Sequence, residues 1–239
     1  MIKLDILAFG AHPDDVELAA SGTLLKHKSL GLKVGIVDLT RGEMGTRGTA
    51  SDRDIEAQDS AKILGLDARE NLGLEDAFFE VNKENKIRVA SAIRTYQPDI
   101  VLAPAIKDRH PDHTNAGQLV AEAAFIAGLR KLETVKDGTS QDPWRPKRVF
   151  HYIQYNYRTP DFVIDISDHF DQKMDAIRAF KSQFYDPNSK EPETLISAKG
   201  FFDYVKARAV EMGSINGVKY GEGFESGTAL QISNLKDLL

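Results

Sequence analysis

The 239-residue chain contains no cysteine. Disulfides and thiolate metal sites are therefore excluded, and any metal ion must be held by histidine, aspartate or glutamate. Positive charge is not in excess either, because the net charge is −5 at pH 7. This balance argues against a nucleic-acid partner bound through a broad basic surface.

Long hydrophobic runs are also missing. No segment approaches the roughly 20 apolar residues that a membrane helix needs, so we expect no membrane partner. The apolar run near the N-terminus is too short for a signal peptide, and acidic residues follow it at once. We therefore expect the protein to work in the cytoplasm.

The residues that are present suit an ordinary globular protein, with 41% hydrophobic and 28% charged residues. Strand-like segments at 4–9, 33–40 and 98–104 alternate with helix-like segments. The predicted helices lie at 16–31, 55–66, 83–96 and 115–129. This alternation predicts an α/β fold with a mostly parallel twisted sheet and helices on both faces.

The pattern is less regular after about residue 130. A polar segment at 131–148 precedes two predicted strands at 149–157 and 162–167. Two late helices are predicted at 168–184 and 194–212. No linker or repeat interrupts the chain, so we expect one domain over 1–239, with a regular core at 1–130 and a less regular part at 131–239.

Two similar motifs follow two of the predicted strands. The sequence "HPDD" occupies 12–15, and "HPDH" occupies 110–113. Ligands of parallel sheets bind outside the carboxyl ends of the strands, where both motifs fall. Each proline also suits a first helical position. Acidic residues in a first helical turn are common without any function, because they complement the helix dipole. Two such motifs at two strand ends, however, indicate a shared metal site.

The histidine and carboxylate side chains of the two motifs favour zinc as the bound metal. Catalytic zinc usually takes three protein ligands from histidine and carboxylate side chains. His12 and Asp15 are three residues apart and can face one point, while His113 arrives from the second strand end. We therefore predict one zinc ion per chain, held by these three residues.

The remaining groups of the two motifs suit acid–base chemistry. Asp14 is a carboxylate next to a predicted ligand and is therefore a candidate general base. His110, held by Asp112, is a candidate acid or cationic stabiliser of an oxyanion.

The paired motifs "AHPDD" and "HPDH" resemble those of the zinc-dependent N-acetylglucosaminyl deacetylase superfamily. Its members include the deacetylases of glycosylphosphatidylinositol, mycothiol and bacillithiol synthesis. The segments "TRGEMGTRGT", "KSQFYDPNSKEPET" and "GVKYGEGFES" are similar to the bacillithiol branch, whose enzyme removes acetate from N-acetylglucosaminyl-malate. The resemblance covers nearly the whole chain.

The resemblance implies a Rossmann-like fold and assembly into trimers or hexamers. It also implies a small-molecule N-acetylglucosamine conjugate as the substrate. By position, it carries over the same roles: zinc ligands His12, Asp15 and His113, the base Asp14, and His110 oriented by Asp112.

Two arginines lie close to the predicted strand ends. Arg53 falls at the end of the 41–54 loop, and Arg109 precedes His110. A guanidinium fork suits a malate-like carboxylate, so both are candidate substrate-binding residues. The alternative for each is a solvated surface arginine. Arg47 is a weaker candidate, because we expect its loop to be mobile.

Several other functions remain alternatives. A deacetylase acting on a chitobiose- or inositol-linked conjugate would use the same core. A metal-dependent phosphoesterase could use the same side chains, although such sites commonly hold two metals. A nucleotide-binding module would need G-x-G-x-x-G after the first strand, and acids occupy that place here. A non-catalytic carbohydrate-binding relative would lack the spare aspartate or histidine, and both are present.

Overall fold

The computed structural model describes residues 2–238. Within this range a seven-stranded sheet has the order β3-β2-β1-β4-β7-β9-β8, and a separate two-stranded hairpin consists of β5 and β6. The strands are β1 Ile6–Gly10, β2 Val34–Thr40, β3 Ala68–Leu74, β4 Ile100–Ala103, β5 Val135–Lys136, β6 Thr139–Ser140, β7 Arg148–Tyr152, β8 Phe162–Asp165 and β9 Gly221–Ser226. The helices are α1 Asp15–Ala19, α2 Ser21–Ser29, α3 Ala50–Leu64, α4 Lys83–Tyr96, α5 Pro111–Ala127, α6 Phe170–Arg178 and α7 Phe201–Ile215.

The predicted α/β class is confirmed. Strands β3, β2, β1, β4 and β7 run parallel, and β9 pairs antiparallel with both β7 and β8. The two central strands β1 and β2 are buried along their whole length, as expected for parallel strands covered on both faces. One hydrophobic cluster includes residues of α4 and α5, and a second includes residues of α1 and α2. The helices therefore cover both faces of the sheet.

Two strands of the seven-stranded sheet, and both strands of the small hairpin, were not predicted from the sequence. β3 has the sequence "ARENLGL" at the edge of the sheet; three polar residues stand together in it, and only its last residue is buried. β9 has the sequence "GEGFES", and two glycines lower its intrinsic strand propensity. Tertiary packing explains the glycines: a Cβ at position 223 would lie 2.7 Å from Sδ of Met212. Close packing of β9 against α7 thus replaces the missing local preference.

Several helix boundaries differ from the predicted ones. α3 begins at Ala50 instead of 55, because Thr49 forms a capping box with Asp52. α5 begins at Pro111, which confirms proline at a first helical position. In the first motif the prediction is wrong: α1 begins at Asp15, so Pro13 lies outside the helix. The late helices are shorter at one end than predicted: α6 ends at 178 and α7 starts at 201.

A buried ion pair joins β9 to two helices. Nζ of Lys173 in α6 lies 2.6 Å from Oε1 of Glu222, and both side chains are 3% exposed. The Glu222 carboxylate also accepts hydrogen bonds from the backbone amides of Gly22 and Thr23 at the start of α2. One carboxylate therefore satisfies a buried ammonium group and two otherwise unpaired helix amides.

Among the described residues, none of the helices has the length and apolar character that crossing a lipid bilayer requires.

We expect Glu222→Ala to lower the free energy of unfolding by about 3–5 kcal/mol, because it leaves a buried ammonium ion unpaired. Urea denaturation followed by circular dichroism measures the change. Asp59→Ala is the control, because it breaks an exposed ion pair with Lys62 and should leave the unfolding curve almost unchanged. Equal effects of the two substitutions would show that the Lys173–Glu222 pair does not stabilise the fold.

Candidate active site

Both motifs lie at the carboxyl edge of the sheet, at adjacent strands. β1 leads into 12–15, β4 leads into 110–113, and these two strands are neighbours. The strand order reverses between them, since β2 and β3 lie on one side of β1 and β4 lies on the other. The motifs therefore meet at the topological switch point, where ligands bind in open α/β sheets.

The three predicted metal ligands converge. The Asp15 carboxylate lies between the two histidines. Its Oδ1 is 3.1 Å from Nε2 of His113, and its Oδ2 is 3.4 Å from Nδ1 of His12. One candidate ligand atom from each side chain falls within 4.8 Å of the others. Two imidazoles and a carboxylate form a donor set that suits a divalent transition metal such as zinc. The residues present therefore fit a divalent metal ion.

A second aspartate orients His113. Nδ1 of His113 lies 2.6 Å from Oδ2 of Asp108, whose other oxygen accepts a hydrogen bond from the Asn156 amide. Because an ionised carboxylate only accepts hydrogen bonds, this contact favours a proton on Nδ1, while Nε2 faces Asp15. Carboxylate–histidine pairs of this kind are typical of metal sites. Sequence reasoning missed Asp108, although it lies only five residues before His113.

His12 is held in the same way, by two carboxylates. Its Nε2 lies 3.0 Å from Oδ1 of Asp76 and 3.2 Å from Oδ2 of Asp112. Asp76 follows β3 and accepts a hydrogen bond from the Met44 amide. Asp76 was also missed, because it stands alone in a loop that follows an unpredicted strand.

Asp112 has a different partner from the expected one. We predicted that its carboxylate orients His110, but this carboxylate lies against His12 and accepts a hydrogen bond from the Ala77 amide. Only the backbone amide of Asp112 reaches His110, where it donates to Nδ1 at 3.2 Å. Because α5 starts at Pro111, this amide lies in the first turn of the helix and points back to its N-cap, His110.

Gln154 is a further contact of the predicted metal ligands. Its Nε2 donates a 2.6 Å hydrogen bond to Oδ1 of Asp15. Asp15 is buried, and burial raises the pKa of its carboxyl. The neighbouring His113 and His12 outweigh that effect and hold the pKa well below its usual range. Asp15 is thus ionised and firmly oriented.

Asp14 lies beside these residues in an unusual conformation. Its φ angle is 116° at the N-cap of α1, which is rare for a residue other than glycine. Its Oδ2 lies 3.1 Å from Nη2 of Arg53, which also donates to the Pro13 carbonyl. Burial raises the pKa of Asp14 to about 7, and Arg53 opposes this increase. A carboxylate with a pKa near neutrality is well matched to accepting a proton.

The two predicted substrate-binding arginines lie in different environments. Arg53 is only 5% exposed, and Asp14 and Pro13 engage its guanidinium group. Arg109 is exposed, stacks over the Tyr155 ring at 4.9 Å, and makes no ion pair among the described residues. Arg109 is therefore available to an incoming anion, whereas Arg53 already has an anionic partner.

His110 lies close to the other two imidazoles of the site, with ring centroids 4.9 Å from those of both His12 and His113. Burial lowers the pKa of His110, and the neighbouring His12 and His113 lower it further. A neutral ring is favoured, in contrast to the imidazolium that we expected from the sequence. Because Nδ1 accepts from the Asp112 amide, the neutral ring carries its proton on Nε2 and can donate a hydrogen bond there.

The loop around Arg47 is anchored, although we expected it to be mobile. The Arg47 side chain is 5% exposed and donates to the carbonyls of Ser182, Phe184 and Pro192. Gln183 in turn donates to the Arg47 carbonyl. The 41–49 loop and the segment 182–192 are thus tied to each other beside the site.

A cavity of about 310 Å³ opens at these residues. Its walls include the three predicted metal ligands, Asp14, His110 and both arginines, Arg53 and Arg109. This size is at the lower end of the range for small-molecule pockets, roughly 300–1,000 Å³. A small substrate could therefore reach the predicted metal ligands, Asp14 and His110 together.

The family model of the PIG-L family, described as GlcNAc-PI de-N-acetylase, matches residues 7–124. The chain is similar to a diacetylchitobiose deacetylase of Thermococcus kodakarensis, with 31% identity over 91% of this chain and 81% of the relative. A probable N-acetyl-alpha-D-glucosaminyl L-malate deacetylase 2 of Bacillus anthracis is 25% identical over 75% of this chain and 81% of the relative. A solved structure of a conserved protein from Thermus thermophilus superimposes with a TM-score of 0.85 and 39% identity, covering 96% of this chain and 98% of the other.

We expect Asp108→Asn to weaken divalent-metal binding by about 10- to 100-fold, because the predicted ligand His113 loses its charged partner. His113→Ala should abolish stoichiometric binding. Titration of Zn²⁺ against a competing chelator measures both changes without relying on catalysis.

Asp171→Asn is the matched control for the metal titration, because it makes the same replacement on the exposed face of α6. It should bind metal as the parent chain does. Unchanged affinity in Asp108→Asn would show that the contact between Asp108 and His113 does not support a metal ligand.

Proposed function

The chain belongs to the PIG-L family and is a deacetylase, and on this premise we propose that it removes the acetyl group from N-acetylglucosaminyl-L-malate, the bacillithiol precursor. We propose one Zn²⁺ per chain as the cofactor, held by His12, Asp15 and His113. The observation that carries the proposal is the position of Asp14 and His110, which line the same cavity as these three side chains.

The reaction requires an activated water molecule and a proton for the leaving nitrogen. A divalent cation at such a site polarises an acyl oxygen and makes water more acidic. We propose that Asp14 accepts the proton of the attacking water, whose oxygen bonds to the acyl carbon. The carbon–nitrogen bond then breaks, acetate leaves, and the amine takes a proton from Asp14.

His110 would act at the other side of the carbonyl group. With Nδ1 occupied by the Asp112 amide, Nε2–H of the neutral ring is the group that can donate to the developing oxyanion. Arg53 would hold Asp14 in place, since it binds the carboxylate and the preceding carbonyl together. We therefore assign Arg53 to orienting the base and Arg109 to substrate binding.

The surroundings of Arg109 favour a substrate whose aglycone carries a carboxylate. Its guanidinium is exposed at the cavity, lies over an aromatic ring and has no carboxylate partner within the described chain. A free guanidinium fork can bind a carboxylate through two parallel hydrogen bonds. Malate supplies such a carboxylate, whereas a second sugar does not.

A second candidate substrate is diacetylchitobiose. It is favoured by the relative from Thermococcus kodakarensis, whose 31% identity exceeds that of the malate-conjugate relative. The same cleavage chemistry would serve both substrates. Only the group beyond the sugar would differ.

The wider organisation is also part of the proposal. We propose that residues 1–239 act as one deacetylase domain and that the protein works in the cytoplasm. Assembly into a homo-oligomer, trimer or hexamer, is the expectation drawn from the resemblance.

We expect acetate release from N-acetylglucosaminyl-malate to exceed release from diacetylchitobiose and from free N-acetylglucosamine. A chelator should abolish release, and Zn²⁺ should restore it. Acetate is measured by a coupled assay, alongside the metal content per chain. Release that persists in metal-free protein would overturn the metal-dependent mechanism, and a preference for diacetylchitobiose would select the second candidate.

We expect Asp14→Asn and His110→Ala each to lower kcat by about 10²–10⁴-fold while metal content stays at one per chain. Asp112→Asn should act differently, by weakening metal binding through His12. Kinetics are measured together with elemental analysis. If Asp14→Asn loses its metal, Asp14 is a ligand and its assigned role is wrong.

Arg53 and Arg109 provide a matched pair of substitutions. Arg109→Lys should raise KM for the malate conjugate by about tenfold or more and hardly affect free N-acetylglucosamine, because lysine cannot form the bidentate contact. Arg53→Lys should lower kcat for both substrates by similar factors, because it disturbs Asp14. A selective loss in Arg53→Lys alone would assign carboxylate binding to Arg53 instead.

A further inference from the structure

One wall of the cavity carries two arginines and a pair of stacked tyrosines. The rings of Tyr155 and Tyr204 are stacked, with their centroids 5.2 Å apart. Arg109 lies over the Tyr155 ring at 4.9 Å, and Arg208 lies over the Tyr204 ring at 5.6 Å. All four residues line the cavity that the predicted metal ligands also line. We call these four residues the two-arginine wall.

The two arginines of the wall are neighbours, because both contact Tyr155. Arg109 meets its ring, whereas Nη2 of Arg208 donates a 2.7 Å hydrogen bond to its backbone carbonyl. Arg109 follows β4 and Arg208 belongs to α7, so the sequence gives no sign that they meet. One small ligand can therefore contact both guanidinium groups.

The wall also adjoins the residues that we assign to amide cleavage. Arg109 directly precedes His110 in the chain. Tyr155 directly follows Gln154, whose side chain donates a hydrogen bond to the Asp15 carboxylate. A substrate with its amide bond at His110 and Asp15 can thus place its aglycone on the wall.

Arg208 has hydrogen-bond donors that the protein does not use. Its Nη2 donates to the Tyr155 carbonyl and, at 2.9 Å, to the Tyr204 hydroxyl, which accounts for both hydrogens of that nitrogen. Its Nε lies 3.4 Å from Oε2 of Glu211, whose side chain is 52% exposed. Its Nη1 is buried and has no hydrogen-bond partner among the described residues. Because buried donors are normally paired, Nη1 needs an acceptor, and a ligand in the cavity can supply one.

A small rotation of the guanidinium brings Arg208 to such a ligand. The residue lines the cavity, although Nη1 itself is covered. Side-chain rotamer changes of this kind are common when a partner binds. The ion pair with Glu211 restrains the rotation little, because pairs with an exposed partner contribute little to stability.

The carboxylates that line the cavity are already paired. Each has a basic partner: Asp14 with Arg53, Asp15 with His113, Asp76 with His12, and Glu222 with Lys173. Within the described chain, neither Arg109 nor Arg208 has a buried carboxylate as its partner. Two positive charges in one wall repel each other unless a ligand carries matching negative charge. A dianion therefore fits this wall better than a neutral sugar.

We propose that the two-arginine wall binds an aglycone with two carboxylates, one paired with Arg109 and the other with Arg208. Each pair consists of charge-assisted hydrogen bonds, and together the two pairs orient the sugar. This inference rests on the proposed function, because it assumes acetyl removal in the same cavity. It goes further by making Arg208, which lies outside both sequence motifs, a specificity-determining residue for the second carboxylate.

The test uses amide analogues that remove one negative charge at a time. N-acetylglucosamine carries as its aglycone L-malate, either monoamide of malate, or the diamide, and acetate release is measured on the metal-loaded full chain. We expect kcat/KM of the parent enzyme to fall about tenfold or more with each carboxylate that becomes an amide. A parent enzyme with equal kcat/KM for the diamide and the malate conjugate would overturn the inference.

Glutamine variants assign each carboxylate to one arginine. Arg208→Gln should have equal kcat/KM for the malate conjugate and for one of the two monoamides, because it no longer contacts the carboxylate that this monoamide lacks. Arg109→Gln should behave in the same way toward the other monoamide. Loss of discrimination against the same monoamide in both variants, or unchanged discrimination in Arg208→Gln, would overturn the assignment.

Two further variants separate recognition from support of the fold. Lys206→Gln removes a positive charge from the exposed face of α7 and does not alter the cavity lining, so the ratios among the four substrates should stay at the parent values. Arg208→Lys keeps the charge and should retain part of the discrimination that Arg208→Gln loses. An equal fall on all four substrates in both Arg208 variants, or the same loss of discrimination in Lys206→Gln, would overturn the role of Arg208.

The outcomes distinguish this inference from the proposed function. If the parent enzyme prefers the malate conjugate and Arg208→Gln keeps that preference over both monoamides, only the role of Arg208 is wrong. If none of the four conjugates releases acetate, the proposed function is wrong as well.

Discussion

Burial of the Asp15 carboxylate between two imidazoles is the interaction on which the site depends. A buried charge is costly unless it is paired and hydrogen-bonded. Asp15 is 2% exposed and contacts His12, His113 and Gln154. These contacts also fix the positions of the two histidines relative to each other. The charge of Asp15 is therefore paired by side chains that come from two strand ends and from the start of α5.

A ring of further carboxylates gives the histidines their orientation. Asp108 holds His113, while Asp76 and Asp112 hold His12. Each of these carboxylates is in turn fixed by a backbone amide, donated by Asn156, Met44 and Ala77 respectively. The backbone of three separate loops therefore determines which imidazole nitrogens face Asp15. The abundance of negative charge around the histidines also favours a cation there.

The two arginines differ in role because their surroundings differ. Arg53 is buried against Asp14, so its charge is used to hold a carboxylate of the protein itself. Arg109 stays exposed over Tyr155, and its guanidinium makes no ion pair with the residues that the structure describes.

The sequence by itself determined the α/β class and brought forward the three residues that form the His–Asp–His cluster. Alternating periodicity located β1, β2 and β4, and the motifs at their ends contain all three residues of the observed His–Asp–His cluster. In the main sheet, β3 and β9 could not be predicted, because β3 is a partly buried edge strand without a clear apolar pattern and β9 is held by packing of its glycines. Asp76 and Gln154 carry no local pattern, since their contacts are made 64 and 139 positions away along the chain. The partner of Asp112 and the different surroundings of Arg53 and Arg109 were likewise decided by tertiary structure, because side-chain direction at a helix start depends on what packs against it.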